Sequence, residues 1–141
     1  MALVLDTGPV VAALDRDDPA HEACEHLLRT AREPLVLVAP ALVEIDYWIR
    51  KRLGLDVWRI LVEDISAGAY RVAQLQPAEL LRAAELEREY ADLALGFVDA
   101  AVIATCERLQ EERVATLDHR HFRVVRPAHC EALTLLPALN G

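Results

Sequence analysis

Two aspartates stand directly behind short apolar runs, and this constrains the fold more than any other feature of the chain. Ala2 to Leu5 runs straight into Asp6-Thr7-Gly8-Pro9, and Arg113 to Leu117 runs into Asp118. A short apolar run bounded by turn residues is the pattern of a buried strand. Pro9 suits a first helical turn, where its missing N–H costs nothing, and Val10, Val11 and Leu14 supply an apolar stripe behind it. The object predicted at the N-terminus is therefore a strand that feeds a helix, with a carboxylate at the junction.

The rest of the chain repeats that alternation. A helix is expected from after Asp18-Pro19 to about Arg32, and a strand over Leu35 to Val38. Leu42, Ile45 and Ile49 recur at three- and four-residue spacing from Ala41 to Arg52, so that segment reads as a helix stopped by Gly54. Helices follow over Val57 to Ser66 and Ala78 to Tyr90, around a weak strand at Tyr70 to Leu75. Phe97 to Gln110, rich in Ala, Val and Ile, reads as a well-buried helix, and Arg113 to Leu117 and Phe122 to Val125 read as closing strands. Strands alternating with helices imply an α/β sandwich with a mainly parallel central sheet flanked by helices. In such folds the ligand crevice lies beyond the carboxyl ends of the strands.

Composition narrows the classes. A length of 141 residues, 54% apolar and 27% charged, predicts a single domain over 1–141 that closes its core without a disulfide or structural metal. The longest apolar runs, such as Leu35 to Ala39 and Ala100 to Ala104, are far short of a membrane span. No basic stretch precedes the first apolar segment, so a secretory signal is not expected and the cytoplasm is the default compartment. Cys24, Cys106 and Cys130 are odd in number and lack CxxC spacing, which suits buried reduced thiols. The net charge of −8 opposes gripping nucleic acid by bulk electrostatics. Positive charge is local: Arg50-Lys51-Arg52 is one cluster, and Arg120, Arg123 and Arg126 form another.

Acids stand where apolar residues are expected. Asp6 and Asp118, each at the end of a strand, should line one crevice. Asp99 lies within Phe97-Val98-Asp99-Ala100-Ala101-Val102-Ile103, and Glu44 interrupts Ala41-Leu42-Val43-Glu44-Ile45. Taken singly, Asp6 or Asp99 fits a helix N-cap, Glu44 a solvated helix face, and Asp118 a turn. Taken together, clustered carboxylates need a cation or a retained proton. Oxygen donors without a converging His or Cys suit a hard cation, Mg²⁺ or Mn²⁺, which can activate water and stabilise charge on a phosphoryl group.

The order and spacing of four segments resemble the PIN-domain family, and in particular the VapC-type ribonuclease toxins of bacterial toxin–antitoxin pairs. The segments are Val4-Leu5-Asp6-Thr7, Val43-Glu44-Ile45-Asp46-Tyr47, Leu95-Gly96-Phe97-Val98-Asp99-Ala100 and Ala115-Thr116-Leu117-Asp118-His119-Arg120-His121-Phe122. The resemblance implies a PIN-like α/β/α fold and an acidic quartet of Asp6, Glu44, Asp99 and Asp118 holding Mg²⁺ or Mn²⁺, with Asp6 and Asp99 as principal ligands. It implies that Thr7 and Thr116 orient carboxylates, and that Asp92 stands behind the ligands at most. The implied reaction is metal-dependent hydrolysis of an RNA phosphodiester to a 5′-phosphate and a 3′-hydroxyl, with Arg120, Arg123 and Arg126 as candidate RNA contacts. Implied partners are a small VapB-type antitoxin that blocks the cleft and a second copy of the chain, with Trp48 and Trp58 as candidates for the dimer face.

Other readings fit less well. His119 and His121 flank Arg120, and His21, Cys24 and His26 cluster on one predicted helix, but Cys24 and His26 point to different helix faces and zinc is not expected. His119 is open as a general base, although a histidine in a turn is the plainer reading. A receiver domain needs a lysine near its late strands, and the one lysine is Lys51. A haloacid-dehalogenase-like phosphatase needs an Asp where Gly8 stands, and phosphate loops of the GxxxxGK[ST] or GxGxxG kind are absent. The competitor from another class is a non-catalytic PIN-like module that binds RNA or a protein.

Overall fold

A computed structural model describes residues 1–138. In chain order the elements are β1 (Leu3–Leu5), α1 (Thr7–Leu14), α2 (His21–Thr30), β2 (Leu35–Val38), α3 (Ala41–Arg52), α4 (Leu55–Ser66) and β3 (Arg71–Ala73). They continue with α5 (Pro77–Glu89), a 3-10 turn (Ala91–Leu93), α6 (Phe97–Leu109), β4 (Arg113–Ala115), α7 (His119–Val124) and β5 (Thr134–Leu136). The five strands form one sheet in the order β3-β2-β1-β4-β5, and every pairing is parallel. This is the α/β/α sandwich the alternation predicts.

Strand periodicity divides the core in two. Leu3, Leu5 and Leu37 face a cluster with Val10, Val11, Ile45, Ile49 and Leu61 from α1, α3 and α4. Val4, Val36, Val38 and Val114 face the opposite cluster, with Ala100, Val102, Ile103 and Phe122. Both faces are covered, which is why these strands read as continuous apolar runs without alternation. Gly54 joins α3 to α4 at φ +99°, a left-handed conformation that favours glycine, and its N–H donates to the Ile49 carbonyl at 2.9 Å.

One expected strand is a helix. Phe122 to Val125 lies in and just after α7, where the buried pair Phe122 and Val125 is three residues apart and Arg123 and Val124 between them are exposed. That spacing is helical, and the Asp118 carboxylate starts the helix by accepting the His121 N–H at 3.2 Å. The edge position beside β4 is filled instead by β5, a three-residue strand without a distinct pattern of its own. The weak strand at Tyr70 to Leu75 is real but shorter, as the opposite edge β3.

Chain order places the crevice. From β1 the chain steps outward through β2 to β3, then returns to the other side of β1 as β4 and β5. The reversal falls between β1 and β4, which pair in register at Leu5 and Ala115. This is the switch point at which open parallel sheets bind ligands. Asp6 and Thr116 are the residues that follow those two paired positions.

Candidate active site

Asp6 leaves the sheet with its N–H donating to the Ala115 carbonyl at 2.8 Å, so β1 and β4 remain tied up to the rim of the crevice. Its residue is only 6% exposed. It sits at the N-cap of α1 with extended backbone, yet its side chain makes no capping bond to that helix. Instead one carboxylate oxygen, Oδ2, accepts the Thr116 hydroxyl at 2.9 Å. Thr116 Oγ1 in turn accepts the Asp118 N–H at 3.0 Å, so one buried hydroxyl fixes two of the acids. On the opposite wall the Thr7 hydroxyl donates to Glu44 Oε1 at 2.8 Å. Glu44 lies on the solvent side of α3, as an amphipathic helix allows.

Asp99 enters from α6, three residues after the Gly96 N-cap, and is half-buried. It is therefore not the cap of its helix, although the first turn is a favourable place for a negative charge. Asp118, which taken singly fits a turn, instead caps α7, a structural role it holds alongside any other. Its Oδ2 also bonds His121 Nδ1. Asp6, Thr7, Glu44, Asp99 and Asp118 line one cleft of about 480 Å³, together with Gly8, Leu117, Asp18, Trp48 and Arg52. Gly8 permits the close approach of α1 to the residue before Asp118: a Cβ there would lie 3.3 Å from the Leu117 Cβ.

Electrostatics single out Asp6 and Asp99, the most buried of the four predicted acids. Burial, the largest cause, raises the Asp6 pKa above its ordinary value, and the charges of Glu44 and Asp118 push the same way. The Thr7 N–H and the Thr116 hydroxyl oppose that rise. Asp99 is pushed up to about 7, first by burial, then by Asp6 and Asp118, with His121 opposing. A different buried acid, Glu79, shows what a satisfied carboxylate looks like in this fold. It accepts the Gln76 N–H at 2.9 Å and the Thr105 hydroxyl at 3.3 Å, and pairs with Arg108 at 2.7 Å. Among the described residues, no Lys or Arg pairs with Asp6, Glu44, Asp99 or Asp118. Asp6, Glu44, Asp99 and Asp118 thus gather negative charge that the one lining cation, Arg52, does not pair with, because it is held by Asp18 and Asp15; their carboxylate oxygens suit Mg²⁺ or Mn²⁺.

His121 corrects the expectation that no histidine converges on the carboxylates: set aside in the sequence beside His119, it meets two of the acids in the structure. Its Nδ1 lies 3.9 Å from Asp99 Oδ2, and one ligand atom each of Asp99, Asp118 and His121 fall within 4.8 Å of one another. Asp6 and Glu44 stand outside that tightest group while lining the same cleft. The available signal was local: His121 is three residues after Asp118, where the residue that backs onto a helix N-cap belongs. His119 is buried, with Nε2 against the Thr116 carbonyl at 3.1 Å. His21, Cys24 and His26 do not converge: His21 Nδ1 is held 2.8 Å from the Ala12 carbonyl, Cys24 is buried and His26 is exposed. Asp92 is exposed in the 3-10 turn and is not among the residues that line the cleft. Arg120, Arg123 and Arg126 are exposed on α7 and just beyond it, also outside the lining.

The PIN-domain family model matches residues 3–127, most of the chain, a span that includes Asp6, Glu44, Asp99 and Asp118. The chain belongs to the PIN-domain family. It is 29% identical over 135 residues to Ribonuclease VapC26 of Mycobacterium tuberculosis, an alignment covering 96% of this chain and 100% of that protein. Among solved structures it resembles the sarcin-ricin loop cleaving toxin VapC20 of Mycobacterium tuberculosis, with a TM-score of 0.72 and 18% identity over 79% of this chain and 86% of the other. It also resembles VapBC2 from Rickettsia felis bound to a promoter DNA fragment, with a TM-score of 0.67 and 15% identity over 96% and 97% of the two chains. The structural likenesses show the fold, an α/β/α sandwich built on a parallel sheet. Among the described residues of this PIN domain, no helix is long and apolar enough to cross a membrane.

Proposed function

We propose that this PIN domain is a Mg²⁺- or Mn²⁺-dependent endoribonuclease, the toxin of a type II toxin–antitoxin pair. The observation that carries the reading is the meeting of Asp6, Asp99 and Asp118 at the sheet's switch point with no arginine or lysine paired to any of them among the described residues. The names of the relatives, a ribonuclease and a sarcin-ricin loop cleaving toxin, support the substrate class. Asp6, Glu44, Asp99 and Asp118 would hold the cation. When bound, a hard divalent ion supplies the positive charge that orients water and offsets charge developing on a phosphoryl group.

The chain's own part is to keep the carboxylates still. Thr116 holds Asp6 and the Asp118 backbone, Thr7 holds Glu44, and His121 holds Asp118. Preorganised groups need no rearrangement as the reaction proceeds, which is where such sites gain most of their rate. Arg120, exposed and two residues after Asp118, and Arg123 and Arg126 beyond it are a proposed basic strip for the RNA backbone. Asp92 would act only from behind the ligands.

Partners belong to the same proposal. The complex of VapBC2 from Rickettsia felis supports a small antitoxin as partner. Val43, Leu55, Ile60 and Val62 are exposed on α3 and α4 beside a groove that includes Trp58, a surface suited to a protein partner or a second copy. The test is incubation of structured RNA with the protein in Mg²⁺, Mn²⁺ or chelator, beside Asp6→Asn and Asp99→Asn. Cleavage that requires the cation and disappears in both variants is expected. Cleavage that persists in chelator or in the variants refutes the proposal, and RNA retention without cleavage favours the binding module.

A further inference from the structure

One wall of the cleft is built by a single stripe of α3. Glu44, Trp48 and Arg52 are spaced by four residues, so they share a helix face, and all three line the cleft. Four residues of helix rise about 6 Å, so the stripe carries a carboxylate, an aromatic ring and a guanidinium over roughly 12 Å. Trp48 is 36% exposed although it is one of the largest apolar side chains in the protein. Its ring is held upright by an edge-to-face contact with Tyr47, with centroids 5.1 Å apart and planes at 83°. The Arg52 guanidinium lies 5.1 Å and the Lys51 ammonium 5.4 Å from the Trp48 ring centre. Arg52 is the one cation among the residues that line the cleft, and it is held there by Asp18 at 3.2 Å and Asp15 at 3.8 Å.

We propose that Trp48 and Arg52 form a subsite for one unpaired nucleotide of an RNA substrate, with the base stacked on the Trp48 ring and the adjoining phosphate held by Arg52. This rests on the ribonuclease reading and assigns the residues that bring RNA to the carboxylates. An exposed ring beside a guanidinium is the usual equipment for unpaired nucleotides, since every base has a stacking face and every link a phosphate. The placement also meets the electrostatic difficulty of a chain with net charge −8. The acids repel the substrate, and the cation of this stripe stands a few nucleotide steps from them, where it can hold the strand without occupying the site. Arg52 and Lys51 are both exposed on flexible stems. A base arriving on the ring replaces a cation there, and a phosphate takes the place of Asp18 on the guanidinium.

The chain has two tryptophans, so Trp58→Phe leaves Trp48 as the sole indole reporter. In chelator, which prevents cation-dependent cleavage, a short single-stranded RNA should quench that emission on binding, and an abasic oligomer of equal length should bind without quenching. Trp48→Ala in the otherwise natural chain should weaken binding by about 5- to 150-fold, the range for one stacked base, while Trp48→Tyr retains most of it. Arg52→Ala should reduce the dependence of log affinity on log salt by roughly 0.7, the loss of one phosphate contact on a single strand. In cleavage assays it should raise KM more than it lowers kcat. Thermal unfolding of each variant separates loss of the subsite from loss of the fold.

Unchanged emission on RNA binding, or natural affinity in Trp48→Ala, overturns the proposal. So does an emission change that follows only protein concentration or an added arginine-bearing peptide, because the surface then serves a protein partner. Cation-dependent cleavage by the natural chain without quenching removes the subsite and leaves the ribonuclease reading. Quenching without cleavage at any cation concentration does the reverse.

Discussion

Replacing Asp99 with Asn should stabilise the cation-free protein while removing cation binding. The carboxyl is pushed from 3.8 to about 7 in the fold, chiefly by burial and then by Asp6 and Asp118. Between those values the folded chain keeps a proton that the unfolded chain has released, so stability falls as pH rises through the window. At about 1.4 kcal/mol per pH unit the full effect is about 4 kcal/mol. The side chain is 21% exposed, and solvent screening brings the expectation to roughly 2–3 kcal/mol. Asn has nearly the same shape and carries no charge, so it escapes this penalty. For a domain of this size the difference corresponds to a Tm about 6–10 °C higher for the variant at pH 8 in chelator. At pH 4 the two proteins should melt within a few degrees of each other. Saturating Mn²⁺ should reverse the order at pH 8, because ligand that binds only the folded state stabilises the natural chain. Urea or thermal unfolding at both pH values, with and without cation, gives all the comparisons. A variant that is less stable at pH 8 in chelator, or a gap that does not change with pH, refutes the claim that Asp99 is a destabilising charge held for a cation.

Other consequences follow from the same geometry. Cation affinity should rise about tenfold per pH unit up to about pH 7 and then level off, because the ion displaces the Asp99 proton; calorimetry across pH 5.5–8.5 reads it. Thr116→Val should lower kcat by roughly tenfold or more with an intact fold, since it removes the donor to Asp6 and the acceptor for the Asp118 N–H; circular dichroism and cleavage rates check this. Glu79→Ala should cost about 1–3 kcal/mol in urea unfolding, by leaving Arg108 and Thr105 without their shared partner, and should leave cation affinity unchanged.

The parts of the fold readable in the sequence are those in which local pattern and burial agree. β1 and β2 lie inside the sheet with both faces covered, so their apolar runs announce them. The α3 helix carries its period in Leu42, Ile45 and Ile49 and its stop in Gly54. The segment after Asp118 misled because Phe122 to Val125 has a strand-like composition, while its backbone is set by the Asp118 cap and by Phe122 packing under the sheet. β5 is three residues at an edge, with pairing to β4 as its main support, and pairing is not written in local composition.

The site divides in the same way. Asp6 and Asp118 are legible from their place directly behind apolar strand runs, and Asp99 and Glu44 from the apolar segments they interrupt. The PIN-family resemblance joins the four into one set. Trp48 and Arg52 reach the cleft, and His121 reaches Asp99 and Asp118, only because α3 and α7 are turned toward them, and that orientation follows from tertiary packing. Of the Arg50-Lys51-Arg52 cluster, a run of like charge in the sequence, only Arg52 lines the cleft.

The most direct measurement is titration of Mn²⁺ and Mg²⁺ into the full chain at pH 7.5 by calorimetry, in two buffers of different ionisation enthalpy so that released protons are counted. Saturable uptake with proton release in the natural chain, lost in both Asp6→Asn and Asp99→Asn, is the predicted result. Uptake that is absent, or that is indifferent to both substitutions, contradicts the account.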